Sequence, residues 1–341
     1  MIIRAKAPLR ISFAGGGTDV SPYPEREGGC VLNATIGRYA WGSLRSRDDN
    51  KIHIESTDLG ISVCYDRDHL GFNGELDLAK AAIRRLDAHE GGFDIFLQTD
   101  APPGSGLGSS SALVVALVGL IKEFKKLPLS EYEVAHLAYQ IEREDLGVRG
   151  GRQDQYACAF GGFNYTEFMG DRVVVNPLRI PDGAINELEH NLLLCYTGST
   201  RRSELIIADQ VNRFESGNAE ALAGLHAQKK LAYDMKDALM RRNLTEFGEL
   251  LHCAWLAKKR MSERISNPFI EELYETARAN GALGGKITGA GGGGYMIFYC
   301  QFERRHKVAA ALNQLGAVTV DLPFEPRGLQ TWRVNSSGVA H

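Results

Sequence analysis

Residues 102–117 read PPGSGLGSSSALVVAL. Gly104, Gly106 and Gly108 alternate with other residues, Ser109, Ser110 and Ser111 follow, and an apolar run then begins that fits a buried helix. No charged residue stands between Asp100 and Lys122. An anion bound here would be held by backbone N–H groups, serine hydroxyls and the positive end of the helix. Glycine permits the positive φ angles and the close approach that such a cradle needs. Taken alone, the run also fits a flexible loop before a core helix, so its reading depends on its flanks.

On the N-terminal side, residues 93–99 alternate as a strand that delivers the chain into the loop, and residues 76–89 carry a helical apolar period with Arg84 and Arg85 outward. Earlier still, residues 2–14 alternate as a half-buried strand pair should and run into Gly15-Gly16-Gly17-Thr18-Asp19. Three glycines and an acid after a strand suit either backbone approach to a ligand or a tight turn with Asp19 as its local cap. Residues 31–36, 40–47, 51–55 and 60–65 read as further short strands, the last three as a meander.

On the C-terminal side, Ser130 to Glu133 form a capping box for a helix with Val134, Leu137, Ala138 and Ile141 on one face. Glu142, Glu144 and Asp145 crowd its last turn, where the negative end of the helix dipole makes carboxylates unfavourable unless a cation compensates. They suit a functional site or three solvated acids balanced by Arg143. Asp154, after the loop that ends at Arg152, falls near a helix N-terminus, where capping is one explanation. A domain boundary is expected within 165–190, near Pro177 and Pro181, which divides the chain into 1–175 and 176–341.

The second half opens with a short strand at 192–197 followed by Gly198-Ser199-Thr200-Arg201-Arg202, a segment that suits an anionic ligand or an ordinary basic surface. Helices are expected near 203–215, 218–241 and 244–260. Asn267 and Pro268 then start a helix that Gly281 ends. Residues 284–294 are glycine-rich. A strand at 295–300, a helix at 303–314 and strands at 317–322 and 329–334 complete an antiparallel sheet of the β-α-β-β-α-β kind.

Composition narrows the class. The 341 residues carry a net charge of −3, so no global field favours nucleic acid or an anionic membrane, and the expected partner is a small molecule. The six cysteines include no C-x-x-C pair and read as reduced thiols of a cytoplasmic protein. The histidines lack metal-site spacing. No apolar run reaches the roughly 18 to 20 residues of a membrane span, and the first residues lack the form of a signal peptide.

Three stretches now stand in order: KAPLRISFAGGGTD at 6–19, PPGSGLGSSSA at 102–112 and KITGAGGGG at 286–294. Together they resemble the three motifs of the galactokinase, homoserine kinase, mevalonate kinase and phosphomevalonate kinase (GHMP) superfamily. Ile287 after Lys286 excludes a Walker loop, and Gly104, Gly106 and Gly108 lack the dinucleotide-binding spacing. The resemblance implies a two-lobed α+β fold, with a lobe like ribosomal protein S5 domain 2 followed by a ferredoxin-like lobe. It assigns the ATP phosphates to Pro103, Gly104, Ser105, Gly106, Leu107, Gly108, Ser109 and Ser110. Ser110 and Glu142 match the family's Mg²⁺ ligands. Asp154 matches its general base, or the group that orients the acceptor hydroxyl, and Arg10 matches the basic residue that keeps that aspartate ionised.

Where galactokinases have a glutamate and a histidine before Thr-Asp, this chain has Gly16 and Gly17, which removes two sugar contacts and opens space. Gly16, Gly17, Thr18 and Asp19 are expected at the sugar, as are Gly289, Ala290, Gly291 and Gly292 of the third motif. The segments AGGGTD, GGRQDQYA, YTGSTRRS and SNPFIEELYETA, with GALGGK, resemble most the branch that phosphorylates the anomeric hydroxyl of D-glycero-D-manno-heptose 7-phosphate, on the way to nucleotide-activated heptose. L-fucose kinases come second. A phosphorylated acceptor requires cations, for which Arg152, Arg201, Arg202 and Lys286 are candidates. A diphosphate decarboxylase and a non-catalytic sugar sensor are the competing classes on this fold, and a monomer or a homodimer is expected.

Overall fold

The computed structural model describes residues 2–66, 69–88, 91–200 and 203–334. The first lobe is built on β1 (Ile2–Ala14), β2 (Gly29–Arg47), β3 (Lys51–Ser56), β4 (Ile61–Asp66), β5 (Gly92–Thr99), β6 (Phe163–Met169) and β7 (Arg172–Pro177). Its helices are α1 (Tyr23–Glu27), α2 (Asp77–Arg85), α3 (Ser109–Lys125), α4 (Glu131–Tyr139) and α5 (Gln153–Phe160), with a π-helical turn at Gln140–Asp145. The second lobe contains α6 (Asp182–Asn191), β8 (Leu192–Tyr196), α7 (Ser203–Glu215), α8 (Ala219–Met240), α9 (Leu244–Met261), α10 (Pro268–Ala279), β9 (Ala282–Ile287), β10 (Tyr295–Cys300), α11 (Phe302–Gln314) and β11 (Val318–Val320). Its sheet has the order β11-β8-β10-β9, all antiparallel, which is the ferredoxin-like arrangement that the strand and helix pattern implied.

Several sequence expectations are corrected. Residues 31–36 and 40–47 form one continuous strand, β2, because Gly37 and Arg38 are absorbed in a bulge: Pro8 faces Tyr39 while Leu9 faces Ile36. The meander is overturned as well. β5 inserts between β2 and β3 and runs parallel to β3, so the order runs β1-β2-β5-β3-β4. The last strand, β12 (Gln330–Val334), pairs with β1 of the first sheet rather than closing the second. β11 already occupies that edge, and Arg333 is held over the first lobe by Glu123 of α3 at 2.7 Å. The 175/176 division accordingly falls inside β7, and the end of the chain returns to the first lobe.

Other expectations stand. From Ala112 to Ile121 α3 is apolar on every face, and Ala112, Val114 to Val118, Leu120 and Ile121 are fully buried. Each of the valine, leucine and isoleucine side chains among them contributes roughly 1.5–3 kcal/mol of burial free energy. β1 exceeds the half-buried expectation: from Ala7 onward every residue is buried, because α3 and α5 of its own lobe and α8 and α9 of the second all pack on it. Phe13 stacks on Phe163 at 6.2 Å and meets Phe247 of α9 edge-on at 5.1 Å. One apolar core therefore runs through both lobes and fixes the cleft between them.

Candidate active site

The glycines of the 102–112 loop have positive φ, 75° at Gly104, 80° at Gly106 and 75° at Gly108. Close approach is required at Gly106, since a Cβ on Gly289 would lie 2.5 Å from its Cα. The Gly106 carbonyl accepts from Thr288 Oγ1 at 2.9 Å and from Arg10 Nη1 at 2.6 Å, which ties the first, second and third motifs together. Gly108 then precedes α3, whose first turn holds three serines and no acid, so the positive end of that helix is left open to the cleft.

Not every residue assigned to the phosphates faces the cleft. Gly104, Gly106, Gly108, Ser109 and Ser110 form the wall of the cleft. Leu107 is buried in the core behind it, where its carbonyl accepts from the Arg10 N–H at 2.9 Å. Ser105 is buried, with backbone hydrogen bonds to Pro102 and Tyr295, and Pro103 faces outward.

Asp154 lies in the first turn of α5 but does not cap it. Its two oxygens face Arg10 instead, with Nε to Oδ1 at 2.7 Å and Nη2 to Oδ2 at 2.8 Å. This bidentate pair abuts the 102–112 loop, for a Cβ on Gly108 would meet Arg10 Cγ at 3.3 Å and Asp154 Oδ2 at 3.4 Å.

The crowded acids after α4 are separated by the π-helical turn. Glu144 and Asp145 turn outward to Arg85, at 3.1 and 2.6 Å, so Arg85 and not Arg143 is their counter-charge. Glu142 turns inward and is 1 % exposed. Its oxygens accept from Ser110 Oγ at 2.6 Å, Ser111 Oγ at 2.7 Å and Gln155 Nε2 at 2.6 Å. Ser110 and Glu142 thus present two hard oxygen groups at the helix end that faces the phosphate loop. This fits Mg²⁺, an ion that takes few protein ligands and completes its octahedron with phosphate and water oxygens. Among the described residues no cluster of three metal-ligating side chains competes with it.

At the other end of the cleft, Gly17 has φ 103° and a Cβ on it would sit 2.3 Å from Met261 Cε. The space expected at Gly17 is thus filled by the second lobe. Gly16 is open, and a Cβ there would face Ser12 Oγ at 3.5 Å and Gln153 Nε2 at 3.7 Å. Thr18 is removed from the cleft, its hydroxyl lying between the carbonyls of Gly15 and Cys30 at 2.8 and 2.9 Å. Asp19 lines the cleft at 1 % exposure and accepts from Gly17 N–H at 3.0 Å and from Gln153 N–H at 3.1 Å. Burial, and next Asp154, push its carboxyl above the ordinary range.

The cations expected for a substrate phosphate divide. Lys286 lines the cleft, fully buried, with Nζ donating to the carbonyls of Ser12 at 2.7 Å and Ile287 at 2.8 Å. Burial, then its neighbours Lys258 and Arg10, push its ammonium well down. Arg152 points away: it donates to the Gly170 carbonyl and to Glu25 Oε1, at 2.9 Å for the latter, and its guanidinium lies over Tyr139. Arg201 and Arg202 lie outside the described residues. In the third motif Gly289, Ala290 and Gly291 line the cleft, whereas Gly292 donates to the Ile265 carbonyl and Gly293 takes its place on the wall.

Sequence reasoning missed Ser12, Gln153, Gln210 and Lys258, all lining the cleft and all more than nine-tenths buried. Ser12 Oγ, Gln153 Oε1 and Gln210 Nε2 have no protein partner. Lys258 had a legible signal. It lies four residues after Ala254, three after Trp255 and three before Met261, and so on the buried face of α9. Arg143 and the exposed Arg149 add positive charge at the other rim.

The GHMP kinases N terminal domain model matches residues 77–162, and the GHMP kinases C terminal model matches residues 235–318. The D-glycero-alpha-D-manno-heptose 7-phosphate kinase of Campylobacter jejuni is 40% identical over 97% of this chain and 99% of its own length. The L-fucokinase/L-fucose-1-P guanylyltransferase of Bacteroides fragilis is 29% identical over 86% of this chain, which covers 34% of that longer protein. Among solved structures, a D-glycero-D-manno-heptose 1-phosphate kinase from Bacteroides thetaiotaomicron superposes with a TM-score of 0.82 at 37% identity, covering 98% of this chain and 100% of the other.

Proposed function

The chain belongs to the GHMP kinases, and on that premise we propose that it transfers the γ-phosphoryl group of ATP to the anomeric hydroxyl of D-glycero-D-manno-heptose 7-phosphate. One observation carries the phosphotransferase reading: the Arg10–Asp154 pair abuts Gly108, where the phosphate loop becomes α3. The group that can accept a proton and the cradle for the transferred phosphoryl thus share one wall. The choice of acceptor rests on the near full-length likeness to a heptose 7-phosphate kinase and on the buried cations of the acceptor end.

Phosphoryl transfer asks mainly for positioning and charge stabilisation. The amides at the start of α3 and the glycines before it hold the β- and γ-phosphates, with no acid in that turn to oppose them. Ser110 and Glu142 would hold Mg²⁺, which would supply neutralisation of phosphate charge. Asp154 accepts the proton of the anomeric hydroxyl, or orients that hydroxyl for attack. Arg10 fixes the carboxylate through two hydrogen bonds and presents positive charge where the attacking oxygen gains negative charge. Ser12, Gln153 and Gln210 offer unpartnered polar atoms to the remaining hydroxyls of the acceptor.

ADP release from Mg·ATP across heptose 7-phosphate, mannose, fucose, galactose and the available hexose 6-phosphates tests this reading. The heptose phosphate is expected to exceed every hexose in kcat/KM by at least about 100-fold, because a site built around buried charge rejects acceptors that leave it unpaired. Preference for fucose would retain the kinase and discard the acceptor. Silence on all sugars, or release of carbon dioxide from a diphosphate substrate, would discard both.

A further inference from the structure

We propose that Lys258, seconded by Lys286, receives the anionic group of the acceptor and selects sugars that already carry a phosphate. This inference rests on the reading of the acceptor as a sugar phosphate.

Lys258 projects from the apolar face of α9 into the cleft and is 4 % exposed. Among the described residues it makes no hydrogen bond to a protein acceptor, a costly arrangement for a buried ammonium. Nothing in the packing requires a charge there, since its helical neighbours Ala254, Trp255 and Met261 are all apolar and buried. Lys286 stands within electrostatic reach, likewise buried.

The local charges do not balance. Asp154 is committed to Arg10. Asp19, the carboxylate that faces Lys258, already accepts from Gly17 and from Gln153. Two ammonium groups therefore share one engaged carboxylate in this part of the cleft. Burial pushes the Lys258 ammonium down to about 8, as expected of a charge without a full counter-charge. A neutral polyol would satisfy hydrogen bonds there but would leave the excess charge in place. A phosphate would neutralise it, and the protein interior would strengthen the attraction.

The test compares the wild type with Lys258→Met and Lys258→Gln. Removing an unpaired buried charge should leave the melting temperature of the Met variant equal to or above that of the wild type. A merely structural lysine would lower it. With the phosphate loop filled by a non-hydrolysable ATP analogue, millimolar inorganic phosphate should stabilise the wild type against heat and not the variants. In turnover, kcat/KM for heptose 7-phosphate should fall about 100-fold in both variants, chiefly through KM. For the unphosphorylated heptose it should change by less than about threefold, because that acceptor lacks the group Lys258 receives. Equal losses on the two heptoses, or phosphate stabilisation that persists in the variants, would overturn the assignment. A wild type that prefers the unphosphorylated heptose would instead overturn the choice of acceptor, and the phosphate stabilisation would still judge Lys258.

Discussion

Asp154→Asn is expected to lower kcat by roughly 10³-fold, within the range found for removal of a positioned general base, while the affinity for ATP stays within about twofold. Asn preserves the shape of the side chain but removes its charge and leaves one oxygen to face Arg10. Arg10 is 5 % exposed and would keep only its contact with the Gly106 carbonyl and a single hydrogen bond to residue 154. Breaking one half of such a pair costs about 3 kcal/mol or more, so the variant should also melt earlier. That loss of stability must be separated from the loss of chemistry. Replacing Arg10 by Met in the same chain removes the stranded cation, and the double variant should recover part of the melting temperature and none of the turnover. Binding of a non-hydrolysable ATP analogue checks the loop, and single-turnover rates check the chemical step. Full turnover in Asp154→Asn would remove this residue from the mechanism.

Glu142→Gln is expected to raise the Mg²⁺ concentration for half-maximal activity at least about tenfold and to lower kcat about 100-fold, the scale of a lost charge at a phosphoryl-transfer site. The local fold should tolerate the change better than that of Asp154→Asn. Gln155 Oε1 has no partner, so a flip of that amide offers an acceptor to the new N–H₂, and the hydroxyls of Ser110 and Ser111 can rotate to accept as well. What cannot be recovered is the negative charge beside Ser110. A Mg²⁺ titration at fixed ATP separates this from a folding defect, because a misfolded fraction lowers the plateau without moving the midpoint. An unmoved midpoint would mean that Glu142 only organises the serines at the start of α3.

Residues whose chemistry is local were legible in the sequence. The 102–112 loop carries three glycines and four serines without a charge, and Glu142, Glu144 and Asp145 stand where the helix dipole disfavours carboxylates; the family resemblance then singled out Glu142. Arg10 and Asp154, 144 positions apart, could be paired only through the family resemblance, and their bidentate contact now gives that pairing a geometry. What the sequence hid was non-local. The insertion of β5 between β2 and β3, and the return of β12 to β1, depend on which sheet edge is left free and not on the residues of either strand. The bulge at Gly37 and Arg38 looked like a break between strands because a bulge and a turn share their residue types. Arg152 was a candidate simply as an available cation for a phosphorylated acceptor, yet its guanidinium is drawn outward by Glu25 and the Gly170 carbonyl. Lys258 was overlooked for the opposite reason: a lysine beside Lys259 and Arg260 looks like helix surface until the apolar period is traced through it.

Transfer of a phosphoryl group from ATP to the anomeric oxygen of an already phosphorylated sugar leaves a product with two distinct phosphates. The most direct measurement is phosphorus and proton NMR of the product formed from Mg·ATP and heptose 7-phosphate. A new phosphorus signal coupled to the anomeric proton, formed in equal amount to ADP while the original 7-phosphate signal persists, is the expected result. ADP formed with inorganic phosphate and no anomeric coupling, or a new phosphate coupled to any other position, would contradict it.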